Sequence, residues 1–132
     1  MIYIEMSDFE INCAVAKALG LEDSMFFSAE SDYCNGPVWT IESGVTKGGI
    51  KASKGNSFDP CNSWADAGPI FEENKISIFS DSDEDSDTDK SPNDHWWSAI
   101  SFDTGCQQNG EKNPRRAGLI VFLMMKEADN AN

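Results

Sequence analysis

An apolar run near the C-terminus constrains the fold more than any other feature. Residues 117–125 are apolar apart from Gly118, and Asn113 and Pro114 precede them. Asn is a good helix N-cap, and Pro suits the first helical position. A helix that is apolar on all sides is buried, so the segment predicts a buried C-terminal helix. A buried strand over residues 119–125 is the alternative, but the Asn-Pro start and the length of the run favour a helix.

A second helix is predicted near the N-terminus, over about residues 8–19. Ser7 is a good N-cap, and Glu10 three residues later completes a capping box. Apolar residues then recur at helical spacing, and Gly20 supplies a stop signal.

Between the two helices the sequence predicts short strands separated by turns. Residues 38–41, 76–79 and 95–102 have strand character, whereas residues 44–57, rich in Gly and Lys, predict an exposed hairpin or a mobile loop. Residues 105–110 predict a Gly-rich connection. The predicted class is therefore α+β, with a small, mostly antiparallel sheet packed by an N-terminal and a C-terminal helix.

Two turn dipeptides flank residues 62–67. Asp59-Pro60 precedes this stretch and Gly68-Pro69 follows it, so we expect no more than one helical turn between them. The chain has 132 residues, close to the commonest domain size, which predicts one globular domain over residues 1–132.

The chain is strongly acidic, with a net charge of −13. Such a surface repels phosphate backbones, which argues against general nucleic-acid binding and against docking on an anionic membrane. Residues 81–89 alone hold six acids and no base. This tract predicts a solvated, disordered loop over about residues 80–93.

Cysteine and histidine usage argues against metal binding and catalysis. The four cysteines lie far apart without a C-x-x-C pair, and the chain has one histidine, His95, so no zinc site is expected. Because the N-terminus leads directly into the predicted helix rather than a secretory leader, we expect reduced thiols in a cytosol. No nucleophile motif accompanies His95. The sequence therefore predicts a non-enzymatic protein without cofactor or metal.

Three stretches stand in order along the chain. They are Ser7–Asn12 with Val15-Ala16, Phe58–Asn62 with Ala65–Ile70, and Asn113–Ala117 with Ile120–Met125. In their residues, order and spacing they resemble the NinX family of small bacteriophage proteins. The resemblance covers roughly half of the chain by direct match, and the acidic tract is not part of it. It implies a phage-encoded protein in the cytoplasm of an infected bacterium, where small non-structural phage proteins often oppose host defence. It implies no mechanism.

The same stretches supply candidate ligand-binding residues. The predicted helix that begins at Asn113 has free N–H groups and a dipole that favour an anion, and Arg115 and Arg116 add bidentate donors. Tryptophan faces suit a stacked base, while carboxylates and amides suit its polar edges or ribose hydroxyls. The candidate residues are Asn12, Trp39, Phe58, Asp59, Asn62, Trp64, Asp66, Gly68, Pro69, Asn113, Arg115 and Arg116.

Each of these residues also has a structural interpretation. The tryptophans suit a core, the arginines suit ion pairs with the many acids, and Asn113 suits a helix cap. The carboxylates Asp59 and Asp66 suit turn caps beside Pro60 and Gly68.

Two functional hypotheses follow. In the first, the protein is a sponge that sequesters a small nucleotide-derived immune signal, such as a cyclic nucleotide or a cyclic ADP-ribose type molecule. In the second, its acidic surface mimics nucleic acid and inhibits a host defence protein or nuclease. An accessory protein with an apolar docking patch is a third alternative, and a homo-oligomer with a pocket shared between two copies is compatible with so short a chain.

Overall fold

The computed structural model describes residues 2–29, 34–82 and 95–130. Within these residues the chain forms three α-helices and seven short strands. The helices are α1 (Asp8–Ala18), α2 (Trp64–Asn74) and α3 (Pro114–Asn130).

The strands form three small antiparallel sheets. β1 (Met25–Phe26) pairs with β2 (Val38–Trp39), and β3 (Thr46–Lys47) pairs with β4 (Ile50–Lys51). The largest sheet has the order β5-β6-β7, formed by Ile76–Ser82, His95–Ser101 and Gln107–Glu111. The predicted α+β class, with helices near both ends of the chain, is confirmed, although the strands divide among three sheets.

α1 begins as its sequence predicts. The backbone N–H of Glu10 donates to Ser7 Oγ at 3.1 Å, and the backbone N–H of Ser7 donates to Glu10 Oε1 at 3.1 Å. This reciprocal capping box satisfies two N–H groups at the helix start. Ile11 and Val15 are fully buried on the inner face, against α3.

α3 is the buried helix that the apolar run predicts. It packs against α1, α2 and the three-stranded sheet, and residues 119–122 are almost fully buried. Gly118 allows α2 and β5 to pack closely on α3, because a Cβ there would lie 2.5 Å from the Phe71 ring and 2.9 Å from Ile78 Cδ1. A side chain at position 118 would force the Phe71 ring and the Ile78 side chain to shift.

The prediction of a turn at Gly68-Pro69 was wrong, because α2 continues through both residues for 11 residues in all. A proline normally disfavours helix at the preceding residue by clashing with its Cβ, and Gly68 has no Cβ. The lost hydrogen bond at Pro69 is offset by burial of the Ile70 and Phe71 side chains.

The Gly-rich connection is also structured differently from the prediction. It contains strand β7, whose register against β6 shifts between Trp97 and Ala99. Gly110, with φ of +80°, lies at this irregularity, where a glycine accommodates a bulge. The segment 44–57 forms the hairpin alternative, with positive φ at both turn residues, Gly48 and Gly49.

Two further observations concern the surface. The predicted acidic loop at about residues 80–93 falls mainly on residues 83–94, which lie outside the described residues. Among the helices that the structure describes, none has the length and apolar character required to cross a membrane.

Candidate functional site

Asn12 fixes the segment that carries the candidate acids. Its Nδ2 donates to the carbonyl of Asn35 and to Asp59 Oδ1, both at 2.7 Å, and its Oδ1 accepts from the backbone N–H of Cys61 at 3.0 Å. Asn12 is fully buried. These three hydrogen bonds make Asn12 a structural support that holds the segment around Asp59 against α1.

Asp59 and Asp66 lie together at the start of α2. The Asp59 carboxylate accepts from Asn12 and from the Asn62 amide, and its backbone N–H donates to Asp66 Oδ2 at 3.0 Å. Ser63 caps α2 through a hydrogen bond from the Asp66 backbone N–H at 3.3 Å. The turn before α2 therefore holds the Asp59 carboxylate by side-chain donors, and the first turn of α2 places the Asp66 carboxylate beside it.

These residues border an open cleft of about 340 Å³. The volume lies at the low end of the range for small-molecule pockets. β4 contributes to one wall. The loop before Asp59 forms a second wall, and the first turn of α2 forms the third. The lining residues are Trp39, Lys51, Ser53, Asn56, Ser57, Asp59, Ser63, Ala65 and Asp66.

The cleft combines one cation with two carboxylates. Lys51 is exposed and forms no ion pair with any other described residue. Burial raises the pKa of the Asp66 carboxyl above its usual range, which the hydrogen bond from Asp59 N–H partly opposes. A desolvated carboxylate in a cleft is the kind of group that functional sites hold. The cleft therefore offers an ammonium to an anion and carboxylate oxygens to hydroxyl or amino donors.

Trp39 and Phe58 belong to the core rather than to an open stacking surface. Trp39 is 2% exposed and Phe58 is fully buried, with their ring centroids 5.9 Å apart in an edge-to-face arrangement. Trp39 reaches the cleft by a small part of its side chain. The core interpretation of these two aromatics is the one that the structure supports.

Trp64 lies outside the cleft lining and is 50% exposed. The Arg115 guanidinium stands 4.9 Å from the centre of its ring, and Arg115 Nε donates to the Cys61 carbonyl at 3.0 Å. Trp64 also meets Phe71 edge to face. Trp64 and Arg115 thus form a separate surface pair that joins α2 to α3.

The Arg116 guanidinium is bound by other groups of the protein. Its guanidinium pairs with Asp8 at 2.9 Å and with Glu111 at 3.4 Å, and it donates to the carbonyls of Tyr3, Ile4 and Met6. The Arg116 side chain is 12% exposed. We call this arrangement the Arg116 clamp, since it ties the N-terminal segment and the end of β7 to α3.

The start of α3 is likewise closed by protein groups. Asn113 Oδ1 accepts from the backbone N–H groups of Arg115 and Arg116 at 2.9 and 3.3 Å, and its Nδ2 donates to the Cys61 carbonyl at 2.7 Å. The geometry thus supports a cap and a clamp at this helix start rather than the expected anion site.

Gly68 and Pro69 shape the fold near the cleft without lining it. A Cβ at Gly68 would meet no heavy atom within 4 Å, whereas one at Gly49 in the hairpin turn would lie 3.1 Å from Pro69 Cβ. Pro69 therefore packs closely against the hairpin that carries Lys51.

Sequence reasoning missed the polar residues on two sides of the cleft. Lys51, Ser53, Asn56 and Ser57 come from a segment rich in Gly and Lys, which gave no sign of approaching α2. Ser63 has a recognisable N-cap signal, but the Gly68-Pro69 dipeptide obscured the helix that it caps.

Fold and site together define a class: a small α+β protein with an open cleft, lined mainly by polar residues, at the start of its middle helix. A family model described as "Bacteriophage P22, NinX" matches residues 3–126. The chain belongs to the bacteriophage NinX family. No curated protein and no solved structure matches the chain.

Proposed function

We propose that this protein is a phage counter-defence sponge. It binds a small nucleotide-derived immune signal in the cleft and holds it away from host effectors, in the cytoplasm of the infected bacterium. Membership of a bacteriophage family supports the setting. The observation that carries the binding role is the cleft itself, which is of small-molecule size and is lined by both Lys51 and Asp66.

The proposal assigns no chemical step to the protein. The described residues that line the cleft include no histidine and no cysteine. A serine in the cleft would need a neighbouring base to become a nucleophile. Of the two carboxylates there, Asp59 is bound by Asn12 and Asn62, and Asp66 accepts a hydrogen bond from a backbone N–H. Cys61, elsewhere in the core, is buried, and this burial raises the pKa of its thiol far above the usual range. These arrangements favour retention of a ligand over its conversion.

A thermal-shift panel on the purified protein tests the proposal. The panel contains cyclic dinucleotides, cyclic ADP-ribose isomers, NAD and ordinary nucleotides. A ligand at a hundred times its dissociation constant stabilises the fold by about 2.7 kcal/mol, which corresponds to a rise in Tm on the order of 10 °C. We expect at least one member to produce such a shift and to be recovered chemically intact after the protein is denatured.

Two results would contradict the sponge. Recovery of a converted molecule would indicate an enzyme. A blank across the panel would favour the acidic inhibitor of a host defence protein instead. Deletion of residues 83–89, which spares β5, then separates the two functions, because it removes five acids from an inhibitor and leaves the residues that line the cleft of a sponge unchanged.

A further inference from the structure

The cleft has a charge pattern that restricts which part of a ligand it holds. Among the described lining residues, Lys51 is the one cation, and Asp59 and Asp66 are the acids. Lys51 attracts a phosphate as a point charge. Several phosphates close together would meet the two carboxylates and a protein of net charge −13. The charge pattern therefore favours a single phosphate group inside the cleft.

Asp66 offers an acceptor that the protein does not fill. Its Oδ2 accepts from the Asp59 backbone N–H, while its Oδ1 has no hydrogen-bond partner among the described residues. An ionised carboxylate is an acceptor only, with about four lone-pair sites. A half-buried carboxylate makes a stronger hydrogen bond than one in water. Asp66 is therefore suited to receive a hydroxyl hydrogen from a bound molecule.

The remaining lining residues suit a sugar better than a base. Ser53, Asn56 and Ser57 contribute small polar groups from the segment that follows β4. Trp39, which alone among the described lining residues is aromatic, is 2% exposed and presents no open ring face. A base needs such a face for stacking. A hydroxyl-bearing ring makes most of its contacts by hydrogen bonds, which this lining provides.

We propose that the cleft recognises the ribose-monophosphate part of its ligand, with the phosphate at Lys51, the ribose hydroxyls donating to Asp66, and the base outside the cleft. This inference rests on the proposed sponge function and specifies which part of the ligand the protein recognises. It has two consequences. Affinity depends on the 2′-hydroxyl, and it is nearly indifferent to the identity of the base.

Isothermal titration of the full chain tests both consequences with four probes. These are adenosine 5′-monophosphate, guanosine 5′-monophosphate, 2′-deoxyadenosine 5′-monophosphate and ribose 5-phosphate. A hydrogen bond to a charged group corresponds to about tenfold or more in affinity. We expect the deoxy probe to bind about tenfold more weakly than its ribose counterpart. The two ribonucleotides should agree to within about threefold, and ribose 5-phosphate should bind measurably.

Two variants locate the effect within the cleft. Asp66→Asn is isosteric and should reduce the preference for ribose over deoxyribose to about threefold or less. Lys51→Ala changes an exposed side chain, so it should keep the fold, keep the ribose preference and weaken all four probes together. Asp23→Asn, at an exposed acid outside the cleft, is the control and should change none of the affinities.

The outcomes separate this inference from the proposed function. A deoxy probe that binds as well as its ribose counterpart, or affinities that follow the base, overturns the ribose inference. If a panel ligand still binds and is recovered intact in that case, the sponge function stands. If no probe and no panel member binds, both proposals fail.

Discussion

α2 and α3 each begin with a polar capping residue, but the polar groups near the two helix starts have different partners. At α3, Asn113 caps the helix and the Arg116 clamp occupies its guanidinium with protein acceptors. At α2, Ser63 caps the helix, while Lys51 and one oxygen of Asp66 remain open to the cleft. Charged residues near a helix start are thus a poor guide to a binding site by themselves. The informative feature is which polar groups the fold leaves unfilled.

The largest expected effect on stability is at the start of α3, where other protein groups bind the polar side chains. Arg116→Ala should lower the free energy of unfolding by about 3 kcal/mol or more, because it removes the cation that pairs with the buried Glu111 carboxylate. The pair with the 42% exposed Asp8 adds little, since solvent screens it. Urea unfolding measures the loss. Arg115→Ala is the matched control and should cost about 1 kcal/mol or less, because Arg115 stacks on the half-exposed Trp64. Equal losses for the two variants would remove the distinction between them.

A smaller effect is expected at the support beneath the cleft. Asn12→Ala should cost about 2 kcal/mol, because it strands the buried N–H of Cys61 and removes a donor from Asp59. Asn62→Ala removes the other side-chain donor to Asp59 from an exposed position and should change stability by about 0.5 kcal/mol. Urea unfolding of both variants checks the ratio. An Asn12 variant as stable as the Asn62 variant would contradict the structural role of Asn12.

The smallest expected effect on stability is at Asp66 in the cleft, where substitution should stabilise the protein. Because burial raises the pKa of Asp66, the folded state binds a proton there more tightly than the unfolded state does. The stability that this proton contributes is complete below the unfolded pKa and is lost as the pH rises through the higher folded pKa. Ionised Asp66 therefore reduces stability at neutral pH.

Asp66→Asn tests this sign directly. We expect the variant to equal or exceed the original protein in stability at pH 7, by about 0.5 kcal/mol. The gain should disappear near pH 3, where the original carboxyl is protonated. Urea unfolding at the two pH values measures the difference. A variant that is clearly less stable at pH 7 than at pH 3, relative to the original protein, would show that the ionised carboxylate supports the fold.

The sequence predicts the parts of this molecule that local pattern controls. The Ser7 capping box gives α1, and the Asn113 cap with the apolar run gives α3. Three short motifs in order pointed to the NinX family, and the match over residues 3–126 confirms it.

The features that the sequence did not predict depend on contacts between residues that are far apart along the chain. Arg116 finds acceptors more than 100 residues away along the chain, at Tyr3 and Met6, which no local pattern encodes. The continuation of α2 through Pro69 depends on tertiary burial that offsets a strong local signal. Of the residues that line the cleft, Trp39, Asp59 and Asp66 were predicted as candidates, but Lys51 was missed because it comes from a separate hairpin.

Charge reversal at two neighbouring lysines tests most directly whether the ligand binds in the cleft. Lys51 and Lys54 are both exposed and differ in place: Lys51 lines the cleft, whereas Lys54 pairs with Glu42 at 3.8 Å. Lys51→Glu and Lys54→Glu are compared with the original protein by thermal shift, using the panel ligand that stabilises it most. We expect Lys54→Glu to keep a rise in Tm on the order of 10 °C and Lys51→Glu to lose it. A Lys51→Glu protein that keeps the full shift would show that the ligand binds elsewhere.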